Sequence, residues 1–188
     1  MFFYKERVKH NLSLDTPALL IVDVQNYFFS PDSKAYLNGI ENIFPNLIKL
    51  KDEFLKRNFP VICTIHFGGS NTMKNWWNNV ISERWTKPYF NDRRCLFITK
   101  DTYDAFFKTK LEEYLKNNKV TDLLITGVMT HLCCETTARS AFVRGFNVIM
   151  IEDALWDKDE FYHFNSLKSL AHGFAIISKT EEVLCALE

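Results

Sequence analysis

The sequence predicts one α/β domain spanning residues 1–188, in three layers, with helices on both faces of a six-stranded, mostly parallel sheet. Three observations point there. Six short apolar runs recur, at 18–25, 60–67, 95–100, 122–127, 147–153 and 174–178. Most are continuous in Leu, Ile and Val rather than alternating, the pattern of strands buried on both faces. Amphipathic stretches with helical spacing separate them.

The elements follow in order. "ALLIVDVQ" (18–25) reads as a buried strand ending in a carboxylate. In "NLIKLKDEFLKR" (46–57), Leu47, Leu50, Phe54 and Leu55 share a helical face. "PVICTIHF" (60–67) is the second strand and "CLFITK" (95–100) a shorter third. "FFKTKLEEYLKNN" (106–118) is helical, with Leu111, Tyr114 and Leu115 on one stripe. "DLLITG" (122–127) is a strand, and "CETTARSAFVRG" (134–145) a helix ended by Gly145. "NVIMIED" (147–153), a helix near 160–172, "FAIIS" (174–178) and a last helix at 180–187 complete the set. The stretch 68–94 has no clear periodicity, and a loop of that length in a compact domain is usually functional or mobile.

Composition excludes several classes. Twenty-three Lys and Arg balance twenty-three Asp and Glu, which leaves no electrostatic footprint for nucleic acid or an anionic membrane. A net charge of zero also favours self-association. No apolar run reaches the ~18 residues of a membrane span. "MFFYKERVKHNLSLD" lacks an apolar leader core. Five cysteines, with no C-x-x-C pair, argue against a disulfide framework and for a reducing, cytoplasmic setting.

In parallel sheets, ligands bind beyond the carboxyl ends of the strands. Three reactive side chains fall there: Asp23 after the first strand, Lys100 after the third and Cys133 after the fourth. A cysteine opening a helix is near the positive end of its dipole, which favours the thiolate. Free N–H groups of that turn suit an oxyanion, a carboxylate can take the thiol proton, and a lysine keeps that carboxylate ionised. Each residue alone has a plainer role: Asp23 as a cap, Lys100 as a solvated side chain, Cys133 as core. Cys134, Cys63, Cys95 and Cys185 read as packing.

The three stretches around these residues resemble the isochorismatase-like cysteine hydrolases. "LLIVDVQNYF" is similar to that family's first-strand motif, "KDTYDAFFKTKLEEYL" to its lysine motif, and "ITGVMTHLCCETTARSAFVRGFNVIMIEDA" to its nucleophile motif. The resemblance covers residues 17 to 178, with the motifs in the family's order. It implies the strand order 3-2-1-4-5-6, so that Lys100 reaches across the end of the second strand. It further implies Asp23 as general base, Lys100 as assisting cation and Cys133 as nucleophile, which separates Cys133 from Cys134. A cis peptide would join Val128 and Met129, and the backbone N–H groups of Met129 and Cys133 would form the oxyanion hole. The implied reaction is acyl transfer on a small carboxamide-like molecule through a Cys133 thioester. Family habit implies a homo-oligomer, a dimer or tetramer.

The chain also departs from parts of that family. Nicotinamidases carry an Asp-x-His metal motif after the second strand. Here Thr64 stands at the Asp position before His66, and no further His follows until His131. The expectation is therefore no metal and no cofactor. Isochorismatases proper replace the nucleophile by Gly, which Cys133 argues against, although His131 resembles the Ala-His of that branch. Vinyl-ether hydrolysis is thus the alternative, and a catalytically silent binding protein of the same fold a third. Candidates for substrate contact are Gln25, Phe28, His66, Trp76, Trp77, Trp85 and His131. The aromatic stretch 75–90 reads either as a lid over a flat substrate or as a subunit interface or satellite core. Arg139 reads as a structural ion pair, and Asp153 as a loop brace.

Overall fold

The computed structural model describes residues 4–188. The first three residues, part of the stretch read for a leader, lie outside the described residues. In chain order the elements are α1 (Tyr4–Arg7), β1 (Pro17–Val22), α2 (Asn26–Phe29), α3 (Phe44–Lys56), β2 (Val61–His66), α4 (Asn71–Trp77), β3 (Leu96–Lys100), α5 (Leu111–Asn117), β4 (Asp122–Val128), α6 (Glu135–Val143), β5 (Asn147–Trp156), α7 (Glu160–Gly173), β6 (Ile176–Ser178) and α8 (Thr180–Ala186). The strands form one six-stranded sheet in the order β3-β2-β1-β4-β5-β6, with every neighbouring pair parallel.

Strand alternation builds two cores. Along β1, Ala18, Leu20 and Val22 pack on one face with Leu111 and Leu115 of α5, Ala138 and Ala141 of α6, and Leu167 and Leu170 of α7. Leu19 and Ile21 pack on the other with Leu47, Leu50 and Phe54 of α3 and Val183 of α8. Every residue of β1, β2 and β4 is buried, as continuous apolar runs require. Among the described residues, no helix is long and apolar enough to cross a membrane.

Several boundaries differ from expectation. The helix expected over 106–118 begins only at Leu111. Before it, Lys108 takes a left-handed φ of 56°, Asp104 Oδ1 accepts from Phe106 N, and Thr109 Oγ1 donates to the Ala105 carbonyl. Side-chain hydrogen bonds of this kind compete with a helix and hold a turn instead. Strand β5 runs three residues past the expected end, to Trp156. The helix expected from residue 134 is preceded by a π-turn, Thr130–Cys134. The stretch 68–94 is ordered: α4 is capped by Ser70 Oγ, a 3-10 turn covers Glu83–Trp85, and isolated bridges join Gly68 to Ile81 and Pro88 to Gln25.

One close approach sets the geometry of the strand ends. Gly127 pairs with Val22 of β1 at φ +101°, and a Cβ added to it would lie 2.1 Å from the Val22 carbonyl oxygen. The β4–β5 register also shifts between Ile125 and Gly127. Only glycine permits both the backbone angle and the contact. Gly127→Ala should lower stability by at least ~2 kcal/mol in urea unfolding, because backbone and not a flexible side chain stands in the way. Gly173→Ala, where an added Cβ meets nothing within 4 Å, should change it little.

Candidate active site

Asp23 follows β1 directly, is fully buried, and takes a left-handed φ of 53°. Few non-glycine residues adopt that region, so the surroundings must hold it. Thr64 of β2 does so. Its hydroxyl donates to Asp23 Oδ1 at 2.7 Å and accepts from Asp23 N at 3.1 Å, while its carbonyl accepts from the same N–H at 3.2 Å.

Lys100 ends β3, two strands away. Its side chain crosses the end of β2 to place Nζ 2.6 Å from Asp23 Oδ2. It also donates to the Thr102 carbonyl at 2.9 Å and to Cys133 Sγ at 3.4 Å, and lies 3.4 Å from His66 Nδ1. Cys133 lies in the π-turn beyond β4, buried to 3% exposure. The Val128–Met129 peptide bond that leads into the turn is cis. Cys134 points away, fully buried, with its sulfur toward the Thr126 carbonyl.

The electrostatics assign a proton to each group. Burial opposes ionisation of Asp23, but the Lys100 ammonium, with the Lys100 and Thr64 hydrogen bonds, outweighs it and holds the carboxyl below its usual range. Burial likewise opposes a charged Lys100, and Asp23 reverses the balance, so the lysine stays protonated. Burial pushes the Cys133 thiol up; Lys100 pulls the other way and does not cancel it. This corrects the expected resting thiolate. The sulfur is almost wholly buried beside an ionised carboxylate, and a helix-end dipole is too weak to compensate. Burial, then the charge of Lys100, lowers His66 to about 4, so it is neutral at pH 7.

A cavity of about 680 Å³ opens over this group, lined by Cys133, His66 and Met129. Of the candidates for substrate contact, Phe28, His66, Trp77 and His131 line it. Trp77 Nε1 donates to the Tyr103 hydroxyl at 2.6 Å. Trp76 is 79% exposed, outside the lining. Trp85 packs near Tyr27 beneath Arg84, and Gln25 is a clamp: its amide accepts from His66 N and donates to the His66 and Trp85 carbonyls. The aromatic stretch therefore divides. Trp77 walls the cavity, whereas Tyr89 and Phe90 join Phe29 and Phe44 in a satellite of the core. Arg139 pairs with Glu135, and Asp153 accepts from Thr180.

Sequence reasoning missed four supports. Thr64 was read only as the absence of a metal ligand. Thr102 contributes a carbonyl, which has no residue-type signature. Asp157 holds His131 Nδ1 at 2.8 Å and His131 N at 2.7 Å, and Tyr162 stacks on that imidazole at 4.3 Å. In the sequence Asp157 opens a charged "DKDE" run four residues beyond the expected strand end, and only the longer β5, ending at Trp156, brings it to a strand end.

Among the described residues, one trio of metal-capable side chains converges: Asp23, His66 and Cys133. They do not fit a metal ion. Lys100 Nζ already stands among them, at 2.6 Å from Asp23 and 3.4 Å from each of the others, and supplies the positive charge.

Comparison with known proteins places the chain in a family. The family described as "Isochorismatase domain" matches residues 17–182. Nicotinamidase 3 of Arabidopsis thaliana is 37% identical over 172 residues, covering 85% of this chain and 83% of that protein. Enterobactin synthase component B of Escherichia coli is 31% identical over 90% of this chain, which spans 62% of that relative's length. A cysteine hydrolase from Pseudomonas syringae pv. phaseolicola shares the fold at a TM-score of 0.85 and 21% identity, covering 94% of this chain and 97% of that one.

Two outcomes follow from the site. Burial holds His66 and His163 at about 4, below the unfolded value near 6.5. Between those values the unfolded state binds protons that the folded state lacks, so stability is complete above pH 6.5 and lost as pH falls toward 4. Urea titrations should show that slope, up to ~1.4 kcal/mol per pH unit for each group, and His66→Asn should flatten part of it. Purified protein should hold no stoichiometric zinc, iron or manganese by elemental analysis, because Lys100 occupies the cation position. A metal bound through His66 would overturn that reading.

Proposed function

Because the chain belongs to the isochorismatase family, we propose that it is a hydrolase of a small molecule's amide-type C–N bond, acting through a Cys133 thioester. The observation that carries this reading is the Asp23–Lys100–Cys133 cluster, with one ammonium 2.6 Å from the carboxylate and 3.4 Å from the sulfur. The pairing of an ionised base with a neutral thiol is the resting state that general-base activation needs.

In the first step Asp23 takes the Cys133 proton as Sγ attacks the carboxamide carbon. The oxyanion would be held by the backbone N–H groups of Met129 and Cys133, both at the cavity wall. Collapse expels the amine, which receives the proton from Asp23 and leaves a thioester. Water, deprotonated by Asp23, then cleaves the thioester to the acid, and the proton returns to Cys133. Lys100 keeps Asp23 ionised between turnovers and orients it.

The nicotinamidase relative supports the amide-bond class. Vinyl-ether hydrolysis has less support, because it needs no nucleophile and this site has one beside a base. A catalytically silent binding protein would have no reason to bury three charged or reactive groups within contact of one another.

Site-resolved alkylation and a carboxamide panel test the proposal. Cys133→Ala should remove turnover, a loss on the order of 10⁴-fold or more. Asp23→Asn should slow both turnover and Cys133 alkylation by roughly 10²-fold or more, while exposed Cys185 reacts unchanged. Lys100→Ala removes the cation that lowers Asp23, so the acid limb of the pH–rate profile should move to higher pH. Turnover that survives Cys133→Ala would end the thioester mechanism.

A further inference from the structure

The cavity is asymmetric along its depth, and the asymmetry bears on the substrate. At the floor, His66 is 2% exposed, and its Nε2 is buried with no hydrogen-bond partner. A buried polar atom left unpaired is destabilising, so a bound molecule is the natural source of its missing bond. The imidazole is neutral at pH 7, and Asp23 and Lys100 beside it neutralise each other. The floor therefore accepts an uncharged, hydrogen-bonding group such as a carboxamide.

The mouth has the opposite character. Lys34 and Lys158, both exposed, line the cavity, whereas no Asp or Glu does. Neither ammonium has a carboxylate partner among the described residues; that of Lys158 lies 5.6 Å over the Tyr162 ring. By contrast Lys49 and Lys116 are paired with acids elsewhere on the surface. The acids that follow Lys158, Asp159 and Glu160, line a separate cavity of about 220 Å³. In a chain of net charge zero, this one-signed rim is a local feature. A cleft with low-dielectric walls focuses such a field on whatever enters it. Between floor and mouth the walls are rings: Phe28, Trp77, Tyr103, and His131 stacked on Tyr162.

Resting on the reading of Cys133 as an acylated nucleophile, we infer that the substrate is a carboxylate anion: a flat, largely apolar molecule with its amide at the floor and its carboxylate between Lys34 and Lys158. A cavity of about 680 Å³ accommodates an aromatic or similarly flat body of that kind. Neutral carboxamides lacking the anionic end fill the floor and leave the mouth unused.

Two measurements test this. The first compares alkylation of Cys133 by iodoacetate and iodoacetamide, reagents of similar size and different charge. Site-resolved mass spectrometry gives each rate, and the iodoacetate-to-iodoacetamide ratio is referred to that of N-acetylcysteine. The ratio should exceed the reference about 10-fold at low salt. It should return toward the reference in about 0.5 M salt, and in the Lys34→Met, Lys158→Met double variant. A ratio at or below the reference, or one indifferent to both lysines, overturns the anion site and leaves the nucleophile reading standing. If neither reagent reaches Cys133, the nucleophile reading fails, and the second measurement decides the anion site alone. Calorimetry on the Cys133→Ala variant compares 4-carbamoylbenzoate with benzene-1,4-dicarboxamide. The anion should bind at least about 10-fold tighter, and the lysine substitutions should remove that preference. Equal or weaker binding of the anion overturns the inference.

Discussion

The site depends on the contact between Lys100 and Asp23. Both side chains are fully buried, and either charge alone would be strongly destabilising there. Together they persist because the remaining hydrogen-bonding capacity is met: Thr64 on the carboxylate, the Thr102 carbonyl on the ammonium. The contact is also a constraint on topology. In the order β3-β2-β1-β4 the lysine starts two strands from its partner, so its four-carbon stem must run over the end of β2. A shorter or rigidly forked side chain would not present a compact point charge to carboxylate, carbonyl and sulfur at once. Three strand ends are thereby joined through one nitrogen.

The same contact decides where protons rest. By holding Asp23 ionised, it leaves a base beside a thiol that burial keeps protonated. In the proposed mechanism the thiol gains nucleophilicity only as Asp23 accepts its proton, which couples activation to attack. His66 is held neutral by burial and by the neighbouring ammonium, which leaves an uncharged floor to the cavity. The strained φ of Asp23 belongs to this arrangement, since Thr64 binds both its backbone and its carboxylate. Thr64 therefore does structural work at a position where an acid would set a second negative charge against Asp23.

The layers and the place of Asp23, Lys100 and Cys133 at strand ends were legible, because they rest on hydrophobic period and on where each run stops, which are local signals. The sheet order, and with it the reach of Lys100 across β2, was legible only through the family resemblance, since both are tertiary facts. The π-turn at Thr130–Cys134 was not, because its residues read equally well as helix. The left-handed Lys108, which shortens α5, leaves no mark on the periodicity. Gln25 was read as a substrate contact from its place after the catalytic strand; both ends of its amide are instead taken by backbone. Asp157 was hidden in a charge run, though it is only 2% exposed. Polar residues that satisfy backbone look the same in sequence as polar residues that meet solvent.

In the proposed reaction, catalysis and selectivity fall to different parts of this chain. The proposed acyl transfer asks little of a substrate beyond a carbonyl, and the groups assigned to it stand on strand ends held by two packed cores. The walls that would distinguish one substrate from another come from connections: Phe28 and Lys34 after β1, Trp77 and Ile81 after β2, Lys158 and Tyr162 after β5. Such segments vary without disturbing a sheet, but here they are not loosely attached. Gln25 ties the first connection to β2 and to the 3-10 turn beside Trp85. The Tyr89 N–H donates to the Val24 carbonyl, and Phe29 stacks on Tyr89 at 4.3 Å. The floor and the walls are therefore positioned by one network of hydrogen bonds and ring contacts, which joins the aromatic segment to the strand ends that carry Asp23 and His66. Such a network would let a mouth built on connections hold the proposed substrate in register with a nucleophile built on the sheet.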